Sequence, residues 1–326
     1  MSNNDAMIHK MNEFGSRKIP FIFIIDFEIN EPLLFPLNAI NPGEILFDIN
    51  GVSNYTNTEK ADIPEFHFRK FPVSFSEYSE AFNKVIENLN YGNSYLVNLT
   101  FPTRIETNLS LKDIFFYSRA KYKLLYREKF LVFSPEIFVQ INENGVISSF
   151  PMKGTIDAAV ENAEEVILND KKEYAEHCTI VDLIRNDLSM VAKDVYVKRF
   201  RYIDKIKTHE KELLQVSSHI SGKLGKEYHK QIGAVIFALL PAGSISGAPK
   251  KKTIEIIRKA ERYERGYYTG VFGYFDGNRL DSGVMIRFIE KTDGQIFYKS
   301  GGGITIYSDP EKEYQELIDK VYVPFI

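Results

Sequence analysis

Short strand-like runs joined by tight turns, gathered in groups with helical segments between the groups, dominate this sequence of 326 residues. Hairpin-connected strands separated by blocks of helix predict an α+β architecture rather than alternating βαβ units. Phe21-Ile22-Phe23-Ile24-Ile25 reads as a buried strand, in a first 70 residues that otherwise read as strand and loop. The polar run from Ser53 to Lys60 is expected to be the most flexible segment. Ser74 and Glu77 stand at capping-box spacing before the first clear helix, with Tyr78, Phe82, Val85 and Leu89 on one face. Further helices are expected from Glu173 to Val191, from Gln231 to Leu240, and from Pro310 to Val321 with Ser308 and Glu311 at capping-box spacing. Tyr268–Phe275 and Ser282–Glu290 read as strands, and Gly301-Gly302-Gly303 as an interruption of the pattern. No break in composition divides the chain from residue 71 onward, so 71–326 is expected to be one catalytic body with 1–70 packed on it.

Composition removes several function classes. A net charge of −3 lacks the surplus of Lys and Arg that nucleic-acid binding demands. Cys178 is the sole cysteine, which rules out an intrachain disulfide and a multi-thiolate metal site within one chain. The polar start MSNNDAMIHK has no signal-peptide core, and no apolar run approaches the ~18 residues of a membrane helix. A cytoplasmic protein with neither nucleic-acid nor membrane partners is the expectation.

Several constellations could carry chemistry. Glu173 and Glu176 lie three apart on one expected helix, and Glu313 and Glu316 repeat the spacing on another. Each pair concentrates negative charge on a helix face at a cost of a few tenths of a kcal/mol. Spacing alone allows two solvated faces or a site for Mg²⁺, a hard cation suited to carboxylates without His or Cys. Pro241 to Pro249 is a Gly-containing loop before a helix, able to hold an anion on backbone N–H groups, though it does not satisfy the Walker pattern. Lys250-Lys251-Lys252 after it either neutralises phosphates or solvates a helix face. Gly301–Gly303 permits close backbone approach to a ligand or simply a tight turn.

Lys153 reads as a solvated charge at a strand end or as a nucleophile. The second role requires a neutral amine, and at the reference pKa only about one molecule in a thousand is neutral near pH 7.4. His219 could be a general acid or a structural histidine. Arg287, set in the apolar run Met285-Ile286-Arg287-Phe288, calls for a paired anion from the protein or from a substrate.

Taken in order, seven segments resemble the chorismate-utilising enzymes: the large subunits of anthranilate and aminodeoxychorismate synthases, and the isochorismate and salicylate synthases. The segments are GNSYLVNLT (92–100), SPEIFVQI (134–141), PMKGT (151–155), EHCTIVDLIRNDL (176–188), GSISGAPK (243–250), RGYYTGVFGY (265–274) and GGGITIYSDPEKEYQE (301–316). The resemblance implies two packed antiparallel β-sheets with helices on the outside and an active-site cleft between them. It implies Mg²⁺ held by Glu176 and Glu316 with support from Glu173 and Glu313. Arg287, Tyr268 and the backbone around Gly301 and Gly303 would hold the enolpyruvyl carboxylate of chorismate, with Lys320 near the metal-bound carboxylate. Ser244 would line the pocket, His219 would assist departure of the hydroxyl, and Glu136 would act as acid or base.

Within the family the chain most resembles aminodeoxychorismate synthase component I. Lys153 stands where those enzymes carry lysine and anthranilate synthases typically carry alanine. Leu96 stands near the place where isochorismate and salicylate synthases carry a water-activating lysine, a role leucine cannot fill. The implied reaction is amination of chorismate at C4 through a Lys153 adduct. The ammonia would come from a separate glutamine amidotransferase, because Cys178 lies in a helix and no segment resembles a glutaminase. Only about 70 residues precede the catalytic body, a shortened N-terminal portion by family standards, so no tryptophan site is expected. Anthranilate synthase component I is the competing enzyme reading; a non-catalytic nucleotide-binding protein using the 241–253 loop is the competing class.

Overall fold

The computed structural model of the chain describes residues 3–56, 65–207 and 212–325. In chain order it begins α1 (Asn3–Ser16), β1 (Phe21–Ile25), β2 (Leu33–Pro36), β3 (Ile45–Ile49), β4 (Val52–Ser53), β5 (Phe68–Phe71) and α2 (Phe75–Asn90). Next come β6 (Leu96–Thr107), α3 (Leu111–Tyr117), β7 (Tyr122–Tyr126), β8 (Phe130–Ser134), β9 (Ile137–Ile141), β10 (Val146–Ser149) and β11 (Met152–Asp157). The middle carries α4 (Ala163–Asn169), α5 (Lys171–Ser189), β12 (Lys193–Lys207), β13 (Glu212–Lys223) and α6 (Ile232–Ala238). The chain closes with β14 (Gly247–Ala248), α7 (Lys250–Ala260), β15 (Val271–Phe275), β16 (Leu280–Val284), β17 (Phe288–Thr292), β18 (Gln295–Ile304) and α8 (Pro310–Asp319).

These strands form two antiparallel sheets. The first runs β11-β13-β10-β9-β16-β15-β1-β2, with β12 on the far side of β13. The second runs β14-β6-β18-β17-β8-β7-β3-β4, with β5 against β6. The sheets pack face to face through Ile22, Ile24, Phe47, Tyr122, Phe272 and Phe288, a cluster drawn from both. Strand alternation sends the odd residues Phe21, Phe23 and Ile25 the other way, into the helix-covered core. That double burial explains why the run has no polar residue. Leu131, Phe133 and Ile289 face outward from the second sheet onto α3 and the chain end. The expected α+β class, with two antiparallel sheets and helices outside, is what the chain adopts.

Several local expectations need correction. A helix, α1, opens the chain where strand and loop were expected; Met7, Met11 and Phe14 give it a buried face at helical spacing. Ser74 caps α2 as expected, accepting from the Glu77 N–H. Helix α8 is capped by Asp309, not Ser308: the Asp309 side chain accepts from the N–H groups of Glu311 and Lys312. Ser308 instead donates to Glu313 at 2.7 Å. The expected strand Ser282–Glu290 is two strands, β16 in the first sheet and β17 in the second, and the link between them crosses from sheet to sheet. Arg287 lies in that link with φ of 52°, not within a strand. Gly301–Gly303 does not interrupt a strand; it lies inside β18, paired with Asn98–Thr100 of β6. In the polar run Ser53 to Lys60, residues 57–60 lie outside the described residues.

Candidate active site

Because one face of β18 is stripped of side chains by its glycines, the body opens into a cavity of about 530 Å³. That size suits a small organic ligand. Its walls come from β6 and β18, from β11 and β13, from α5 and α8, and from the loop before β14. Twelve sequence-selected residues line it: Glu136, Lys153, Glu173, Glu176, Ser244, Tyr268, Arg287, Gly301, Gly303, Glu313, Glu316 and Lys320.

The carboxylates arrive in pairs because of helical spacing. Turns of α5 bring Glu173 and Glu176 to one wall; α8 brings Glu313 and Glu316 to another. Lys153 Nζ sits 2.6 Å from Glu176 Oε2, and Lys320 Nζ sits 2.6 Å from Glu316 Oε1. Lys320 also donates to the Gly301 carbonyl at 2.9 Å. Burial works against the Lys153 charge, but Glu176 beside it, then Glu173 and Glu316, more than compensate and hold its pKa above the ordinary lysine value. Lys320 goes the other way: burial outweighs Glu316, and Arg287 and Lys153 add repulsion. Gly302 faces this cluster, and a Cβ there would lie 3.5 Å from Glu313 Oε2 and 3.8 Å from Glu316 Oε1.

Would these residues take a magnesium ion? Among the described residues no three such side chains have closed on one metal-sized point. The ammonium nitrogens of Lys153 and Lys320 stand on Glu176 and Glu316, filling with protein charge positions a cation would share. Four carboxylates, without His or Cys, and a glycine that leaves space before them fit a hard oxygen-seeking dication.

Cationic Arg287 and neutral Tyr268 line the same cavity. Burial disfavours the Arg287 charge, but the phenols of Tyr298, Tyr322 and Tyr268 offset it, so it remains a guanidinium. Its plane stands 5.1 Å from the Tyr322 ring centre. A guanidinium among phenols presents its donors to an incoming carboxylate. Glu136 accepts from the Ser244 hydroxyl. Burial raises its pKa above the ordinary carboxylate value, against the opposing pull of Ser244, Arg287, Lys320 and Lys153.

His219 is not brought to the cavity. It stacks on Phe150 with ring centres 4.4 Å apart and bonds Ser221 Oγ at 3.0 Å. Gln215 of the same strand lines the cavity instead, and no histidine does among the described residues. The two share a strand face but lie four residues apart, about 13 Å along the strand. Strand-like surroundings could not give the position along the strand.

Sequence reasoning also missed the frame beneath the site. Arg265 is almost fully buried and uses all five of its N–H donors: Nε and Nη2 on Glu261, Nη1 on Ile245 O and Thr269 Oγ1, and Nη2 on Asn98 O. Asn98, Ile245 and Thr269 line the cavity, so one guanidinium ties three of its wall segments together. The Glu261/Arg265 spacing was the only local signal. The 241–249 loop leads directly into α7, as expected, and has structure of its own: Gly243–Ile245 is a 3₁₀ turn, Gly247–Ala248 pairs with Leu96–Val97, and residues 244–247 line the cavity. Lys250 is committed to Asp187 at 2.8 Å, while Lys251 and Lys252 are exposed on α7.

No helix among the described residues is long and apolar enough to cross a membrane. A family model described as "chorismate binding enzyme" matches residues 44–325. A Haemophilus influenzae protein described as an "uncharacterized PabA-like protein" is 51% identical over 323 residues, 99% of this chain and 98% of that one. Aminodeoxychorismate synthase component 1 of Bacillus subtilis is 32% identical over 271 residues, 77% of this chain but only 56% of that protein. Among solved structures, the menaquinone-specific isochorismate synthase of Escherichia coli superposes with a TM-score of 0.73 at 15% identity, over 97% of this chain and 80% of that one. With the fold, the motif order and the match over residues 44–325 in agreement, the chain belongs to the chorismate-binding enzymes.

Proposed function

We propose that the chain is the chorismate-aminating component of an aminodeoxychorismate synthase, producing 4-amino-4-deoxychorismate for 4-aminobenzoate and folate synthesis in the cytoplasm. The observation that carries this reading is Lys153, which shares the cavity with the four carboxylates. The Bacillus subtilis relative supports it. Arg287, Tyr268 and the backbone at Gly301 and Gly303 would take the enolpyruvyl carboxylate. Glu176 and Glu316, supported by Glu173 and Glu313, would hold Mg²⁺, which when bound supplies positive charge against the ring carboxylate. With Glu176 turned to the metal, the ion pair that keeps Lys153 charged would be relieved and the amine would lose its proton to solvent; the neutral Nζ then forms a bond to C2 as the C4–oxygen bond breaks, and Glu136 gives its proton to the departing hydroxyl, which leaves as water. Ammonia then forms the C4–N bond, the lysine is expelled from C2, and one N–H proton returns to Glu136. Two easier displacements replace one hard one. Leu96 at the wall offers no group to activate water in place of ammonia. A glutamine amidotransferase partner would supply the ammonia, and a separate lyase would remove pyruvate.

The test is product identification after incubation with chorismate, Mg²⁺ and ammonium. Aminated chorismate retaining its pyruvyl group is the expected product; anthranilate with free pyruvate would make the chain an anthranilate synthase and refute C4 amination. With ammonium omitted, intact-protein mass should rise by chorismate less one water, and Lys153→Ala should abolish the increase.

A further inference from the structure

Because Asp309 caps α8, the hydroxyl of Ser308 is not spent on the helix terminus. It lies 2.7 Å from Glu313 Oε1. Chemistry fixes the direction of that bond. Ser308 Oγ already accepts from the Thr305 N–H at 3.2 Å, and a hydroxyl has a single hydrogen to give. A carboxylate oxygen only accepts, so the hydrogen points to Glu313. Thr305 directly follows β18, and its carbonyl accepts in turn from the Ser308 N–H at 3.1 Å. A turn closed in both directions therefore ties the strand that carries Gly301–Gly303 to one oxygen of a cavity carboxylate. Glu313 is buried, and its other oxygen, Oε2, stands 3.5 Å from where a Cβ on Gly302 would sit.

We infer that Ser308 is a positioning residue for the metal site: it holds Glu313 Oε1 so that Oε2 is turned to the space over Gly302, where it can support a bound dication directly or through water. The inference rests on the reading above that the four glutamates hold Mg²⁺. The kind of partner each carboxylate has carries it further. Glu176 and Glu316 each bear a lysine ammonium, a positive partner with which a dication would compete. Ser308 brings no charge. It can orient Glu313 and stay in place while the carboxylate's negative charge remains available to a cation. Holding the side chain beforehand also removes rotamer freedom that an untethered glutamate would lose on binding. Partners of this kind behind a metal site contribute about 10–100-fold in metal affinity.

The test titrates Mg²⁺ into the full chain with saturating chorismate and no ammonium, and follows the rise in Tm against Mg²⁺ concentration. Ser308→Ala should raise the concentration giving half the rise about tenfold. Glu313→Ala should also raise it, and adding Ser308→Ala to Glu313→Ala should change it less than twofold further, because no carboxylate remains to be oriented. A midpoint within twofold of wild type in Ser308→Ala overturns the inference. So does a double variant in which Ser308→Ala still costs its full factor, since the turn and not the carboxylate would then be responsible. Should Ser308→Ala fail to fold, Ser308→Cys keeps the shape with only a weak donor, and an unchanged midpoint there overturns the inference equally. If the wild-type protein shows no Mg²⁺-dependent rise, the metal reading itself falls and takes the inference with it; that outcome is distinct from a wild-type rise that the Ser308 variants leave in place.

Discussion

Alanine at Gly302, compared with alanine at Gly301, separates a glycine kept for a ligand from a glycine kept for the strand. A methyl on Gly302 meets only side-chain ends, Glu313 Oε2 at 3.5 Å and Glu316 Oε1 and Lys320 Nζ at 3.8 Å. Those are ordinary contact distances, so folding needs no backbone movement, and loss of glycine's freedom in the unfolded chain should add about 0.4–1 kcal/mol. A methyl on Gly301 would lie 2.4 Å from the Leu99 carbonyl oxygen, across the β6–β18 pair, and the strands must separate to admit it. Overpacking of that kind costs about 1–3 kcal/mol. For a chain of this size, about 2 °C per kcal/mol translates this into a Tm lowered by roughly 2–6 °C. Ligand response is the second test of Gly302. Chorismate with Mg²⁺ at a hundred times Kd stabilises by about 2.7 kcal/mol. Tenfold weaker binding in Gly302→Ala removes about 1.4 kcal/mol of that, near 3 °C of the shift. Thermal unfolding of both variants with and without ligand is the assay. A Gly302→Ala protein as destabilised as Gly301→Ala, or one with the full ligand shift, would refute the assignment of Gly302 to the site.

Four further outcomes are expected. Lys153→Ala should lower C4 amination at least a hundredfold with chorismate still stabilising the fold, and unchanged turnover would remove the lysine from the chemistry. Glu136→Gln should cut kcat by about 10²–10⁴ with little change in KM, the range for loss of a general acid or base; steady-state kinetics decide. His219→Ala should change kcat less than threefold, and a hundredfold loss would return His219 to the mechanism. Lys123 lies buried under helix α3, donating to Phe115 O and Ser118 O, and burial pulls its pKa down to about 8 despite Asp48. The unfolded chain therefore binds more protons than the folded one between about pH 8 and 10.5, and stability contributed through this group rises with pH across that window. Denaturation of Lys123→Met should lack that rise; an identical pH slope in variant and wild type would count against it.

How far the site was legible depended on what each signal measures. Carboxylates three apart on a helix must share a face, so the paired glutamates were found and their helices carried them to one cavity. Strand-like surroundings say nothing of where along a strand a cavity lies, which is why His219 was selected although Gln215, four residues away, lines the site. Nothing in the alternation of Ser282–Glu290 marks where a strand leaves one sheet for the other; both halves are apolar because both sheets are buried there. Met7, Met11 and Phe14 did carry a helical period, and the polar residues around them masked it. The Arg265 network joins residues 98, 245, 261 and 269 through backbone oxygens and side chains, and contacts to carbonyls leave almost no trace in residue identity.

The three-residue link from β16 to β17 also bears on how this architecture can vary. Residue 285 is held from both ends, its N–H on Gly270 O at 2.8 Å and its carbonyl accepting from Thr269 at the same distance; Arg287 O accepts from Phe133 at 3.2 Å. Adding one residue here would either turn every side chain of β17 to its opposite face or carry the guanidinium out of the cavity. Loops at the rim can lengthen and shorten among descendants of such a chain, but this crossing cannot. New specificities at the Arg287 end must therefore come from exchanging side chains on a path of fixed length.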